Sequence, residues 1–115
     1  MGEKVQQQQV ALNLISEGTS ITGDLVAKND IRIDGSIKGK INTAGRLVIG
    51  PVAKIEGEVQ AAMVDLLGTM EGSIACAGTV TLKANAIFTG TIKAAYIAIE
   101  SGAVFNGECQ IERKK

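Results

Sequence analysis

The segment Ile37-Lys38-Gly39-Lys40-Ile41 (IKGKI) has the pattern apolar-x-Gly-x-apolar, and this pattern returns along nearly the whole chain. Its six copies are ITGDL (21–25), IKGKI (37–41), IEGEV (55–59), MEGSI (70–74), FTGTI (88–92) and FNGEC (105–109). The central glycines are Gly23, Gly39, Gly57, Gly72, Gly90 and Gly107, so the motif recurs with a period of roughly 17 residues. A repeat with this period predicts one supersecondary unit stacked on copies of itself.

The alternation of apolar and polar residues continues beyond each glycine motif. Two residues after the motif comes a small residue, and a pair of apolar residues with one residue between them follows. The small residues are Ala27, Thr43, Ala61, Cys76 and Ala94, and the pairs are Ile31/Ile33, Leu47/Ile49, Val64/Leu66, Val80/Leu82 and Ile97/Ile99. Period-two alternation in short runs broken by Gly, Asn and Lys predicts β-strands with one buried face. The motif glycines then point inward, where we expect a side chain to crowd the narrow axis.

The connections from each apolar pair to the next glycine motif have two lengths. The step is four residues in two units and six residues in four units. The four-residue steps are Ile33 to Ile37 and Leu66 to Met70; the six-residue steps are Ile15 to Ile21, Ile49 to Ile55, Leu82 to Phe88 and Ile99 to Phe105. An even difference preserves the facing of every side chain, so the length variation is predicted to lie at corners.

These features predict an all-β, single-domain parallel β-helix of about six windings. At the usual strand spacing of ~4.8 Å it would form a rod about 25–30 Å long. Like residues then stack on like, so Phe88 lies next to Phe105 and Gly90 next to Gly107. In the outward columns, Lys40 is expected between Asp24 and Glu58, although Glu56 is expected beside Glu71. We predict a flexible tail at 1–12, the β-helix at 13–111 and a charged tail at 112–115.

Composition and charge exclude several classes of function. Twelve basic and twelve acidic residues cancel, and aromatic residues make up only 3%, which disfavours nucleic-acid binding. No signal peptide and no membrane-spanning stretch is present, so we expect a cytoplasmic protein. Cys76 and Cys109 both fall at inward positions, and we expect both to be buried, reduced thiols.

No constellation of residues predicts catalysis, a cofactor or a metal ion. The chain has no histidine, the usual general base. Gly35-Ser-Ile-Lys-Gly39-Lys40 resembles part of a phosphate-binding loop, but it has one residue too few and Ile41 stands where Ser or Thr should bind magnesium. Glu56, Glu58 and Glu71 flank inward glycines at strand spacing, as a solvated face would. No base accompanies Cys76 in the sequence.

The two ends of such a rod are predicted to bind other copies of the protein. Solenoids usually cover their terminal windings with a polar cap, because those windings otherwise present unpaired apolar layers. No cap is evident in this sequence, and we therefore expect the rod to polymerise through its ends. The predicted C-terminal interface residues are Phe105, Cys109 and Ile111, and the N-terminal ones are Leu14, Ile15, Ile21 and Leu25.

Between about Ile15 and Ile111 the amino-acid sequence of the repeat resembles that of the bactofilin family. The resemblance is clearest in ITGDL (21–25), IDGSIKGKI (33–41) and LVIGPVAKIEGEV (47–59). The resemblance implies a right-handed β-helix between disordered tails. It implies self-assembly, without nucleotide, into non-polar filaments through head-to-head and tail-to-tail contacts. It also implies a bacterial cytoskeletal scaffold at the inner face of the cytoplasmic membrane, with cell-wall enzymes or polarity proteins as partners that affect cell shape.

Three other functions fit a β-solenoid. Left-handed β-helix acyltransferases have windings of similar length, but they generally use a histidine base and strict hexapeptides. An ice-binding protein needs a flat ladder of outward threonines, whereas the outward columns here mix Thr, Lys, Glu and Asn. A solenoid that serves as a binding scaffold without polymerising is the third alternative.

Overall fold

Thirteen parallel β-strands coil around one core in the computed structural model, which describes residues 12–112. The strands are β1 (Leu12–Ile15), β2 (Ser20–Thr22), β3 (Leu25–Ala27), β4 (Asp30–Ile33), β5 (Ser36–Thr43), β6 (Arg46–Ile49), β7 (Lys54–Ala61), β8 (Met63–Leu66), β9 (Thr69–Cys76), β10 (Thr79–Leu82), β11 (Ile87–Ala94), β12 (Tyr96–Ile99) and β13 (Val104–Ile111). No helix occurs within this range. The predicted tail residues 1–11 and 113–115 lie outside it, while Leu12 already belongs to β1.

The strands form two sheets that run along the rod. One sheet has the order β1-β4-β6-β8-β10-β12; the other has the order β2-β5-β7-β9-β11-β13, and β3 also pairs with β5. Partners in these parallel ladders are one repeat apart in the sequence, as in Lys54 with Thr69 and Leu12 with Asp30. The first winding contains β1 to β3, and each later winding adds one strand to each sheet. The predicted β-solenoid of about six windings is therefore confirmed.

The core is filled by the predicted inward columns. In β5 and β7 burial alternates residue by residue, and Ile37, Ile41, Ile55 and Val59 are each about 1% exposed. Because the ladders are in register, each apolar side chain stacks on its counterpart in the next winding. The rings of Phe88 and Phe105 stack with centroids 5.5 Å apart and planes 5° from parallel, as the repeat predicted.

The glycine column needs glycine for a reason that differs from the predicted one. Five of its members have φ between +136° and +144°, a region that L-residues rarely adopt: Gly39, Gly57, Gly72, Gly90 and Gly107. A Cβ at Gly57 would collide with the backbone carbonyl of Gly39, and the same collision recurs at each later winding. The crowding thus comes from the peptide of the preceding winding and not from side chains on the axis. Each of these glycines lies near the middle of an eight-residue strand.

The length variation lies at one corner of the solenoid, as predicted. Each six-residue connection contains a tight turn, such as the one closed by the Ala53 N–H donating to the Gly50 carbonyl at 3.1 Å. Each four-residue connection contains a glycine instead, either Gly35 or Gly68. A Cβ at Gly68 would collide with the Gly50 and Ala53 carbonyls of the preceding turn, so a short corner nests against a long one.

The outward columns also follow the predicted register. In the ladder of β5 and β7, Lys38 lies beside Glu56 and Lys40 beside Glu58. In the ladder of β7 and β9, Glu56 lies beside Glu71. Asp24, expected beside Lys40, lies in the break between β2 and β3. Ion pairs between windings are found elsewhere, as between Arg46 and Asp65 at 3.5 Å. Exposed pairs of this kind contribute only about 0.2–1 kcal/mol each, so they help to fix register more than stability.

A second corner is closed by side-chain hydrogen bonds to the preceding winding. The Thr43 hydroxyl is buried; it donates to the Asn29 carbonyl at 2.6 Å and accepts from the Gly45 N–H at 3.1 Å. Two windings later, the Cys76 thiol donates to the Ala62 carbonyl at 3.3 Å. The Thr43 hydroxyl thus satisfies two backbone groups at this corner, and the Cys76 thiol is a second donor to the Ala62 carbonyl, which also accepts from the Gly78 N–H at 2.9 Å.

A Thr43→Val substitution should therefore destabilise the fold although the side chain keeps its shape. The change leaves the Asn29 carbonyl and the Gly45 N–H without their partner, which should lower the free energy of unfolding by about 1–3 kcal/mol. Denaturant unfolding measures the loss. Thr91→Val, at an exposed outward position of β11, is the matched control and should stay within about 0.5 kcal/mol of the parent. Equal losses in the two variants would show that the Thr43 hydrogen bonds do not stabilise the corner.

Candidate polymer interfaces at the ends of the solenoid

The C-terminal end of the rod presents an uncovered apolar layer. Strands β12 and β13 are the last strands of their sheets, and no strand within residues 12–112 lies beyond them. Ile111 is 49% exposed, whereas Ala94, its ladder partner in β11, is 2% exposed. The same holds for Ile99, which is 49% exposed, against 0% for Leu82. The side chains that fill the core elsewhere are thus open to solvent at this end.

Phe105 is the largest member of this layer. One face of its ring stacks on Phe88, and the residue is half-buried as a result. All three predicted C-terminal interface residues, Phe105, Cys109 and Ile111, share inward columns with buried residues of β11. Ile97 and Ile99 also belong to this layer, although they are not among the predicted interface residues. The apolar pair at the same position in each of the preceding units was the signal that could have identified them.

The two cysteines differ in exposure, so the expectation that both are buried is wrong for Cys109. Cys76 is buried, and desolvation raises the pKa of its thiol. Cys109 is exposed although it faces the core column above Ile92, because no further winding within residues 12–112 covers it. Its partial desolvation also raises its pKa. Neither thiol is activated as a nucleophile, since activation requires a lowered pKa.

The N-terminal end presents a smaller apolar layer that includes a polar residue. Of the predicted N-terminal interface residues, Ile15, Ile21 and Leu25 are half-buried and pack against the core. Leu14 does not belong to this layer: it pairs with Arg32 in an outward column and is 61% exposed. Asn13 occupies the inward column next to Ile31 instead. The longest spacing between successive motif glycines, as from Gly39 to Gly57, is 18 residues. Counting back by this spacing from Ile31 and Ile33 would have identified Asn13 and Ile15.

Asn13 is held in place by a hydrogen bond to the next winding. Its Nδ2 donates to the Asp30 carbonyl at 3.3 Å, and the residue is exposed. The C-terminal layer has isoleucine, Ile97, in the same column. The two ends of the rod are therefore chemically different.

The sides of the rod offer little chemistry. A groove of about 740 Å³ follows the second corner, where its lining includes Ala62, Ala77, Ala95 and Cys76. Lys93 and Glu112 also line this groove, and both are exposed. Among residues 12–112, no group of three or more His, Cys, Asp or Glu side chains is placed to hold a metal ion. The same range contains no helix that is long and apolar enough to cross a membrane.

Comparison with known proteins agrees with this architecture. The family model of bactofilins, described as polymer-forming cytoskeletal proteins, matches residues 13–110. Bactofilin BacO of Myxococcus xanthus (strain DK1622) is 29% identical over 106 residues, which cover 92% of this chain and 84% of that protein.

Two solved structures share the fold and an appreciable part of the sequence. The Thermus thermophilus bactofilin, reconstructed by cryo-EM as double helical filaments, is 33% identical with a TM-score of 0.82, covering 87% of this chain and 99% of that one. The cytoskeletal bactofilin BacA, determined by solid-state NMR, is 30% identical with a TM-score of 0.81, covering 92% of this chain and 100% of that one. The chain therefore belongs to the bactofilin family of polymer-forming cytoskeletal proteins.

Proposed function

We propose that this protein assembles end to end into filaments without nucleotide, and that its filaments are a structural scaffold and not an enzyme. The observation that carries this proposal is the apolar layer at each end of an otherwise well-packed solenoid, which is half-buried at the N-terminal end and more exposed at the C-terminal end. Stacking a second copy on either layer extends the core and removes its apolar side chains from water. The match to filament-forming bactofilins supports the same function.

We further propose that like ends meet, so that the filament has no polarity. In head-to-tail stacking the inward columns would continue from one copy to the next, and Asn13 would be buried against Ile97. A buried amide without full hydrogen bonding is unfavourable. Contacts between two C-terminal ends bring apolar layers together, and contacts between two N-terminal ends let the Asn13 amides meet other polar groups.

We also propose a cellular role, which membership of a cytoskeletal family supports. We place the filaments in the bacterial cytoplasm, at the inner face of the cytoplasmic membrane, where they would organise cell-wall enzymes or polarity proteins and so affect cell shape. The acyltransferase alternative is disfavoured by the family match and by the absence of histidine from the chain.

The function is tested by negative-stain electron microscopy and sedimentation of the purified protein in buffer with a chelator and without nucleotide. We expect filaments a few nanometres wide that pellet at high speed. Discrete particles under these conditions would overturn the proposal and return attention to a scaffold that does not polymerise.

The thiols provide a test of the C-terminal contact in solution. Cys109 should react with a maleimide in unassembled protein and become protected in filaments, because the proposed contact covers it. Cys76 should remain unreacted in both states, since it is buried and its pKa is raised. Mass spectrometry of the two cysteine peptides measures this, with a Phe105→Arg variant, which we expect to form no filaments, as the unassembled reference. Equal labelling of Cys109 in both samples would contradict a C-terminal contact.

A further inference from the structure

The inward residues on either side of the column glycines follow a symmetric pattern of sizes in the inner windings. Four residues before the glycine stands a small residue, two before it a large one, two after it a large one and four after it a small one. In β7 and the corner before it these are Ala53, Ile55, Gly57, Val59 and Ala61; around β11 they are Ala86, Phe88, Gly90, Ile92 and Ala94. The first winding keeps the pattern with Thr19, Ile21, Gly23, Leu25 and Ala27.

The last winding breaks this symmetry. Its residues in the same order are Ala103, Phe105, Gly107, Cys109 and Ile111, so large and small residues have exchanged places on the C-terminal side of the glycine. Cys109 stands in the column of Ile92, and Ile111 stands in the column of Ala94. Both are exposed, and because Cys109 is smaller than Ile92 in the same column, we expect a depression in the end layer at Cys109.

This exchange makes the end layer complementary to a second copy of itself. In a contact between identical surfaces related by a two-fold axis, residue i meets residue j of the partner and residue j meets residue i. An axis that passes by Gly107 brings positions equally far before and after the glycine together. Phe105 then faces Cys109 of the second copy, and Ala103 faces Ile111. With the pattern of the inner windings, the same axis would set large residues against large ones.

The opposite side of the winding fits the same axis. Thr81 and Ala98 are ladder partners in β10 and β12, so their separation along the chain is one full winding. Ala98 precedes Gly107 by about half of that separation. An axis that crosses the rod from Gly107 therefore passes near Ala98. Ile97 and Ile99, which flank Ala98, would then meet each other across the contact.

We propose that two C-terminal ends join about a two-fold axis beside Gly107, with Phe105 of each copy seated in the depression at Cys109 of the other. This inference rests on the proposed end-to-end assembly and adds the register of one contact. Head-to-tail stacking predicts a different pairing, because Phe105 would continue the column onto Ile21 of the next copy and Cys109 would continue it onto Leu25.

Two variants that each disrupt the contact between C-terminal ends should restore it when the two proteins are mixed. Cys109→Phe sets two phenylalanines against each other, and Phe105→Ala leaves two small residues opposite each other. Each variant alone should need at least about tenfold more protein than the parent to form a pellet. In an equimolar mixture, both large side chains of one copy face both small side chains of the other, and pelleting should recover toward the parent concentration.

The controls separate this register from folding and from assembly itself. Circular dichroism and thermal unfolding establish that each variant is folded. If Phe105→Ala unfolds, the second pair, Ile111→Ala with Ala103→Ile, follows the same logic. Recovery in the mixture supports the two-fold pairing. A mixture that assembles no better than its components, while the parent protein forms filaments, overturns the pairing and leaves end-to-end assembly standing. A parent that forms no filaments overturns the proposed function and the inference with it.

Discussion

Phe105→Arg should yield a folded, β-rich protein that forms no long filaments. Phe105 is half-buried by Phe88 on one side and open on the other, so a guanidinium group can reach solvent in the isolated molecule. In the proposed contact between C-terminal ends, that charge would be buried without a partner. Such burial costs several kcal/mol, about 3–5 kcal/mol in typical cases, and each 1.4 kcal/mol weakens association tenfold.

Sedimentation velocity and negative-stain microscopy measure this effect. The expected species are monomers, or dimers joined through their N-terminal ends. Asn106→Arg is the matched control, because it introduces the same charge one residue further along β13 on the outward, exposed side. It should leave filament formation intact. Long filaments of Phe105→Arg would show that the C-terminal layer is not a polymer contact.

Gly57→Ala should cause a large loss of stability. Gly57 has φ of +137°, and a Cβ there would collide with the Gly39 carbonyl in the middle of the stack. Neither the unfavourable φ nor the collision can be relieved easily, because windings on both sides hold the backbone in register. We expect a loss of about 4 kcal/mol or more in the free energy of unfolding, which is about 20 °C in Tm for a domain of this size.

Gly23→Ala separates the two causes of this loss. Gly23 has a similar φ of +131°, but among residues 12–112 no atom beyond its two chain neighbours lies within 4 Å of the position its Cβ would take. This variant should lose only the conformational part, about 1–3 kcal/mol. Thermal unfolding of both variants in the Phe105→Arg background keeps filament formation from obscuring the comparison. If both variants lose the same amount, the collision with the preceding winding contributes nothing and the backbone conformation alone requires glycine.

Much of the solenoid could be predicted from the repeat. Parallel windings in register repeat one local pattern, so the positions of Ile37, Ile55 and Phe88 in a common inward column follow from their distance to the nearest motif glycine. The corner lengths could be predicted for the same reason, because an even change in length preserves facing. Leu14 was misplaced where the pattern was weakest, since the inward position next to Ile31 holds the polar Asn13.

The candidate site was predicted less completely, as the two cysteines illustrate. Cys76 and Cys109 both occupy inward positions of the same repeat, yet one is buried and the other is exposed. Likewise, the glycine column was recognised from its period, but the carbonyl that excludes a side chain at Gly57 belongs to another winding. Facing is a local property of an alternating strand, so the sequence sufficed for the winding length, the register and the inward columns. Burial and steric exclusion depend on what lies above and below each winding, so only the folded stack established which inward residues remain open at its ends.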